Sequence, residues 1–438
     1  MDTLICNVTA VTMDERMQVL FGAFIGIDKG KITYLGKEAP AEKPDTIIDG
    51  TGMVAIPGLV NCHTHLATTA LRSYLDETSR VDTLKTLLEK EAKLDEQSAE
   101  ASAVLGIAEC LRFGITSLSD LGVFPQAVAK AAAESGIKAN VAMACYRFID
   151  ENEDFDFDTD PVCKQLQECV DAWHGHDDGR VKVDAGIYAE YTGNYKLWEA
   201  LSDYSREKGL SMQLHLSETL EEAQDCEERT GLTQTELLNC HRFFSQGATA
   251  TGCAYLTEQD RAILRKRQVS CVTTPNAYAK AGRKPGDISV NVKAGLNVAL
   301  GTGGSAECGS MDLFEVMRQA AYHQRQLADA PEAMPAQALL MMATVCGARA
   351  QGRSEETGML KVGLDADMAL VDFSAPHLIP CHNVMSSLVF SAKGGDVAMT
   401  MVRGKVLYQN GQFPTLDISR AVQTIMEHTI PRLFAESK

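Results

Sequence analysis

The chain runs to 438 residues, 45% hydrophobic and 23% charged, with a formal charge of -18 at pH 7. That length exceeds one ordinary core in a soluble, globular composition, so a large unit of roughly 300 residues with a smaller companion is expected. The acidic balance and the lack of a Lys/Arg block argue against nucleic acid as a partner, and no stretch nears the ~20 apolar residues that would make the membrane one.

Thirteen scattered cysteines without a Cys-x-x-Cys pair fit neither a disulfide framework nor a zinc knuckle. A reducing, cytoplasmic setting is therefore expected. The opening Met1-Asp-Thr-Leu-Ile-Cys-Asn7 has no basic flank and no apolar h-region, so export is not expected either.

In chain order, residues 1–57 hold short alternating segments at Thr3 to Val8, Gly22 to Ile27, Lys31 to Leu35 and Thr46 to Asp49. Gly and Asp punctuate them, and the pattern predicts a small antiparallel unit. From about residue 58 to 360, apolar runs alternate with helical patterns, the signature of βα units around a parallel sheet. Strands are predicted at 55–61, 115–119, 138–144, 181–187, 211–216, 248–253, 269–274 and 297–301, and helices at Ser98 to Arg112, Tyr195 to Lys208 and Gln259 to Arg267. Eight such strands imply an α/β fold closed as a (β/α)8 TIM-like barrel, whose working residues sit at the C-terminal strand ends. Strand material returns in 361–438, at Asp367 to Val371, Val397 to Val402 and Lys405 to Gln409, before a terminal helix. Both chain ends are thus expected to form one discontinuous β-sandwich beside the barrel.

The stretch that carries chemistry is Val54-Ala-Ile-Pro-Gly-Leu-Val-Asn-Cys-His-Thr-His-Leu66. A lone His-x-His is usually two unrelated histidines. Here it follows a Pro-Gly turn and a buried strand, whose alternation sends His63 and His65 to one side at the strand exit. Strand five, in Met212-Gln-Leu-His-Leu-Ser-Glu-Thr219, brings His215 and Glu218 to the same mouth. Three neutral imidazoles can hold one divalent ion and leave a position for water, which loses a proton near neutral pH. Zinc suits such a set. Glu218, in the following loop, is placed to carry a proton between that water and a leaving group.

With these residues together the chain resembles the amidohydrolase superfamily. More narrowly it is similar to the aminohydrolase branch that contains methylthioadenosine/S-adenosylhomocysteine deaminases, guanine deaminase and triazine hydrolases. Pro57-Gly-Leu-Val-Asn-Cys-His-Thr-His65, Gly114-Ile-Thr-Ser117, Tyr191-Thr192, His215-Leu-Ser-Glu-Thr219, Leu300-Gly-Thr302 and Gly363-Leu-Asp-Ala-Asp-Met-Ala-Leu-Val-Asp372 carry the likeness in order. The resemblance implies metal-dependent hydrolysis of a non-peptide C–N bond, the deamination of a purine-, pterin- or triazine-like small molecule. It also matches Glu91 to an acidic residue that binds ribose hydroxyls in nucleoside deaminases.

Four positions depart from the family pattern. Gly303 stands where the branch has a metal-binding aspartate after strand eight, and Gly252 replaces a substrate-polarising histidine after strand six. Tyr188 replaces the pocket histidine after strand four, and Ala277-Tyr278 replaces a Ser-Asn pair after strand seven, so both tyrosines become candidates for substrate binding. Cys253, Glu307 and Cys308 lie close enough in sequence to stand in for the lost groups. A catalytically silent, ligand-binding relative is the competing reading. A homo-oligomer is compatible with these residues.

Overall fold

The computed structural model describes residues 1–74, 76, 77, 80–150 and 152–435. In chain order the strands are β1 Thr3–Val11, β2 Val19–Asp28, β3 Lys31–Gly36, β4 Thr46–Asp49, β5 Met53–Pro57, β6 Leu59–Thr64, β7 Ile115–Gly122 and β8 Lys138–Met143. There follow β9 Val181–Ala189, β10 Met212–Leu216, β11 Thr249–Gly252, β12 Ser270–Thr273, β13 Asn297–Leu300, β14 Met368–Asp372, β15 Val397–Val402 and β16 Lys405–Gln409.

Strands β6 to β13 pair in sequence order, every ladder parallel, with helices in the connections. Their near-continuous apolar character follows from burial on both faces: β6 and β8, for instance, are buried at every position. Side chains close the seam between β13 and β6. The Asn61 amide donates to Thr302 Oγ1 at 2.8 Å and accepts from Thr302 N at 3.0 Å, while Gly303 N donates to the His63 carbonyl at 3.0 Å. Strand eight therefore ends hard against the strand that carries the first histidines.

The other eight strands form one sheet from both chain ends, in the order β16-β15-β14-β5-β1-β2-β3, with β4 on β1. Ile32 of β3 at one edge shares a buried cluster with Met399 and Met401 of β15 near the other, so the sheet curls over a core of its own. The N-terminal part is not purely antiparallel, as its alternation had suggested. β4 and β5 both run parallel to β1, because the chain returns across the sheet after β3.

A second correction concerns the run predicted as one strand over 55–61. It divides at Pro57-Gly58 into β5, which pairs with β14 in the small sheet, and β6, which opens the barrel. Proline has no N–H to continue a ladder. Gly58 is required by crowding: a Cβ there would lie 2.0 Å from Thr116 Oγ1. One apolar run thus serves two sheets.

The helix predicted from Ser98 begins at Glu96, because the Asp95 carboxylate caps it by accepting from Ser98 N at 3.0 Å. Tyr195–Lys208 stands as predicted and ends in Gly209 at φ +70°. At the chain's end, Ile418–Thr424 and Ile430–Phe434 flank a π-turn that sets His428 and Arg432 on Asp95.

Where the returning sheet meets the start of the barrel strands, charge is buried deliberately. Lys138 Nζ sits 2.7 Å from Asp365 and 2.6 Å from Asp367. Arg353 donates to Asn140 Oδ1, Glu356 and the carbonyls of Ala139, Gly179 and Arg180. A cavity of about 740 Å³ lined by Asn140, Lys182, Asp184, Ser270 and Asn297 also lies at this floor, and His63, His65 and His215 take no part in it. Among the described residues no helix is long and apolar enough to cross a membrane.

Candidate metal centre and active site

His63 lies within β6 and His65 just beyond it, where the chain turns into the helical stretch Leu66–Leu71. Asp120, buried at the end of β7, fixes this exit by accepting from Leu66 N at 2.7 Å and Thr64 Oγ1 at 2.9 Å. His215 arrives on β10 from the far side of the barrel. The Nε2 atoms of His63 and His65 are 3.1 Å apart, as are those of His63 and His215. Two nitrogens on one tetrahedral ion at 2.0–2.1 Å would be about 3.3 Å apart. The donor set therefore fits a single cation.

Hydrogen bonds set the tautomers. His65 Nδ1–H donates to the Leu121 carbonyl at 2.6 Å and His215 Nδ1–H to the Tyr188 carbonyl at 2.8 Å, which leaves each Nε2 with its lone pair toward the centre. Burial, reinforced by the two neighbouring imidazoles, holds His63 well below the usual histidine range. Burial also lowers His215, to about 4, with His65 adding to the effect. Burial works against the His65 cation as well, but the carboxylates of Glu307 and Asp120 outweigh it and raise that residue. Two of the three rings are thus kept in the neutral form that binds metal.

Glu218 follows β10 by two residues, after Ser217 at φ +46° turns the chain into the mouth. Its Oε1 accepts from Arg283 Nη1 at 2.6 Å. Both line a cavity of about 170 Å³ together with His63, His215, Tyr188, Tyr191, Glu222, Thr251, Gly303 and Glu307. A second chamber of about 460 Å³ shares Leu87, Tyr188 and Glu307, includes His65 and Glu91, and is otherwise walled mainly by Leu88, Leu121, Val123, Phe124 and Tyr146. Burial raises the Glu91 carboxyl, with His65 as the opposing influence. The Tyr188 ring leans on His215 with centroids 4.6 Å apart.

The remaining candidates separate. Tyr278 is 2% exposed and does not line either chamber; its hydroxyl lies behind the wall, near Glu218 and Arg283. Cys253 Sγ donates to the Ala250 carbonyl at 3.4 Å, and Cys308 Sγ to the Ser310 carbonyl at 3.0 Å. Neither cysteine lines either chamber, and burial pushes Cys308 up to about 12. Of the three stand-ins only Glu307 reaches the site.

Sequence reasoning missed Arg283 and Glu222. Arg283 comes from the Ala281-Gly-Arg-Lys-Pro-Gly286 loop, which has no periodicity to fix its direction. Glu222 was legible as the fourth member of a Thr-x-x-Glu capping box, and it does reach back to Thr219 N at 3.3 Å. Its carboxyl also faces the cavity, where burial and then the Glu218 charge raise it to about 7.

Comparison with known proteins places this geometry. The family model described as amidohydrolase family matches residues 54–407. A 5'-deoxyadenosine deaminase of Methanosarcina acetivorans is 35% identical over 423 residues, 96% of each chain. A 5-methylthioadenosine/S-adenosylhomocysteine deaminase of Thermoanaerobacter pseudethanolicus is 32% identical over 426 residues, 97% of this chain and 98% of that one. Among solved structures, a zinc-bound adenosine deaminase from Xanthomonas campestris superimposes with a TM-score of 0.91 at 25% identity, over 99% of this chain and 98% of that one. The zinc-complexed atrazine chlorohydrolase of Arthrobacter aurescens shares the fold at a TM-score of 0.89 and 24% identity, over 98% and 100%.

Proposed function

The chain belongs to the amidohydrolase family, a metal-dependent hydrolase by that membership, and from this premise we propose that it deaminates a 5'-modified adenosine-like nucleoside. The convergence of three Nε2 atoms beside Glu218, at the head of a two-chambered cavity, carries the reading. His63, His65 and His215 hold one divalent ion, zinc in preference to iron given the all-imidazole set. Such an ion supplies a water that ionises near neutral pH. Glu218 would move a proton between that water and the departing amine, and Arg283, donating to its Oε1 at 2.6 Å, holds the carboxylate in place. Tyr188 bounds the ring site against His215. Glu91, in the apolar chamber, is positioned for hydroxyls of a ribose, with Leu87, Phe124 and Tyr146 around the 5' group. Thirteen free cysteines support a reducing, cytoplasmic setting.

Relatives named as deaminases leave the silent-relative alternative without support. The test is ammonia release from 5'-deoxyadenosine, 5'-methylthioadenosine and S-adenosylhomocysteine, with guanine, a pterin and an aminotriazine as comparators. Turnover of the nucleosides is expected, and Glu218→Gln should lower it by about 10²–10⁴-fold while metal content stays unchanged. No turnover of any compound by fully metallated protein would overturn the assignment.

A further inference from the structure

The end of strand eight lacks a side chain beside the cluster of three imidazoles. Gly303 leaves β13 at φ +80°, a left-handed conformation that favours glycine, and its N–H is held by the His63 carbonyl. The space in front of it is not empty. A Cβ built on Gly303 would lie 3.3 Å from Glu307 Oε2, so the Glu307 carboxylate occupies the volume into which a short acidic side chain at 303 would project.

Glu307 is held there from both sides. Its Oε2 accepts from Gly304 N at 3.2 Å, which folds the side chain back toward the strand end. The short helix that carries it, Ser305–Cys308, is clamped by Arg72, which donates to Ser305 Oγ at 3.2 Å and to the Gly309 carbonyl. Arg72 is in turn paired with Glu109, whose Oε1 also receives Met311 N at 3.1 Å. The carboxylate therefore has an anchored approach to the cavity that His63 and His215 share, and to the chamber that His65 lines. Glu218 cannot fill the same electrostatic role, because it is already neutralised by Arg283 at 2.6 Å.

Resting on the three-histidine metal site proposed above, we propose that Glu307 is the anionic group of that site, supplied from the helix after strand eight in place of the missing strand-end aspartate. A dication held by imidazoles gains charge compensation from a nearby carboxylate, which can act without being one of the ligands. Gly303 and Glu307 are then one device: glycine clears the volume and glutamate fills it.

Chelator-competition titration with Zn²⁺, together with the visible spectrum of the Co²⁺ form, tests this on the full chain. Glu307→Gln keeps the size of the side chain and should weaken metal binding by about tenfold or more, which is about 1.4 kcal/mol per tenfold step, and should alter the Co²⁺ spectrum. Gly303→Asp in the presence of Glu307 should fail to tighten binding. In a Glu307→Ala background the same Gly303→Asp change should recover affinity, because the second carboxylate then has room. Unchanged affinity and spectrum in Glu307→Gln, or tighter binding in Gly303→Asp alone, would overturn the inference. His63→Ala separates the levels of failure: if it abolishes binding while Glu307→Gln does nothing, Glu307 alone is misassigned, whereas binding unaffected by His63→Ala overturns the metal site and this inference with it.

Discussion

At the floor of the barrel Lys138 and Arg353 are both 0% exposed, yet their charges are fully partnered by Asp365, Asp367, Glu356, an asparagine and backbone carbonyls. At the mouth, Glu218, Glu222, Glu91 and Glu307 gather around three imidazoles, with the Arg283 guanidinium committed to Glu218 and Lys280 to Asp76. The floor is electrically closed. The mouth carries a surplus of carboxylate, where burial and then the Glu218 charge push Glu222 up to about 7 and burial raises Glu91. The contrast is one of charge balance as well as solvent access, since Lys138, Arg353 and Asp367 are fully buried whereas Glu91, Glu218, Glu222 and Glu307 are half-buried. It marks which end finishes its own electrostatics and which leaves them for a cation and a substrate to finish.

The sharpest way to break that comparison is at the floor. Lys138→Met leaves Asp367, whose side chain is 0% exposed, without its cation, and breaking a buried pair from one side costs about 3–5 kcal/mol. Urea unfolding should show that loss, while metal affinity of the folded fraction stays at the wild-type value. A variant that unfolds like wild type would mean that the floor pair contributes nothing beyond its own desolvation.

The mouth should answer in the opposite manner. Zinc at a hundredfold excess over its dissociation constant should raise unfolding stability by about 2.7 kcal/mol, because it binds only the folded site. His215→Ala should erase that increment, whatever the loss of a buried, hydrogen-bonded ring costs the metal-free protein. Lys138→Met should retain the increment in full. Loss of it in Lys138→Met, or its survival in His215→Ala, would show that the two ends are not separable.

These two ends were not equally legible from the chain. Strands such as β8 and β10 read directly because parallel strands buried on both faces are continuous apolar runs, and His215 came with its strand. The run through Pro57-Gly58 misled because hydrophobicity does not say which sheet a segment joins, and only the crowding at Thr116 shows why the glycine divides it. At the site, His63, His65, His215 and Glu218 could be placed because each is tied to a strand end. Arg283 could not, since it reaches Glu218 from an aperiodic loop 65 residues away. Glu307 could be nominated by proximity to Gly303 but not told apart from Cys308, because direction within one helical turn depends on the Arg72–Glu109 clamp, a contact between distant segments.

The smallest effect probes the surplus itself. In the metal-free protein Glu222 has its carboxyl raised from 4.5 to about 7, first by burial and then by Glu218. An acid whose folded pKa lies above its unfolded value binds protons more tightly when folded, so its contribution to stability is greatest below the unfolded pKa and is lost as pH rises toward 7. Wild type should therefore lose stability between about pH 4.5 and 7 on account of this group, whereas Glu222→Gln should not. Glutamine preserves the capping bond to Thr219 N, since its side-chain oxygen can accept there as well. A full shift would amount to about 3 kcal/mol, and partial exposure with Arg283 nearby reduces this to roughly 1–2 kcal/mol. Urea unfolding of both chelator-treated proteins at pH 5 and pH 8 reads the difference: near equality at pH 5 and a more stable Glu222→Gln at pH 8. A gap that is the same at both pH values would mean that Glu222 titrates as an ordinary surface carboxylate and that the mouth holds less surplus charge than its geometry implies.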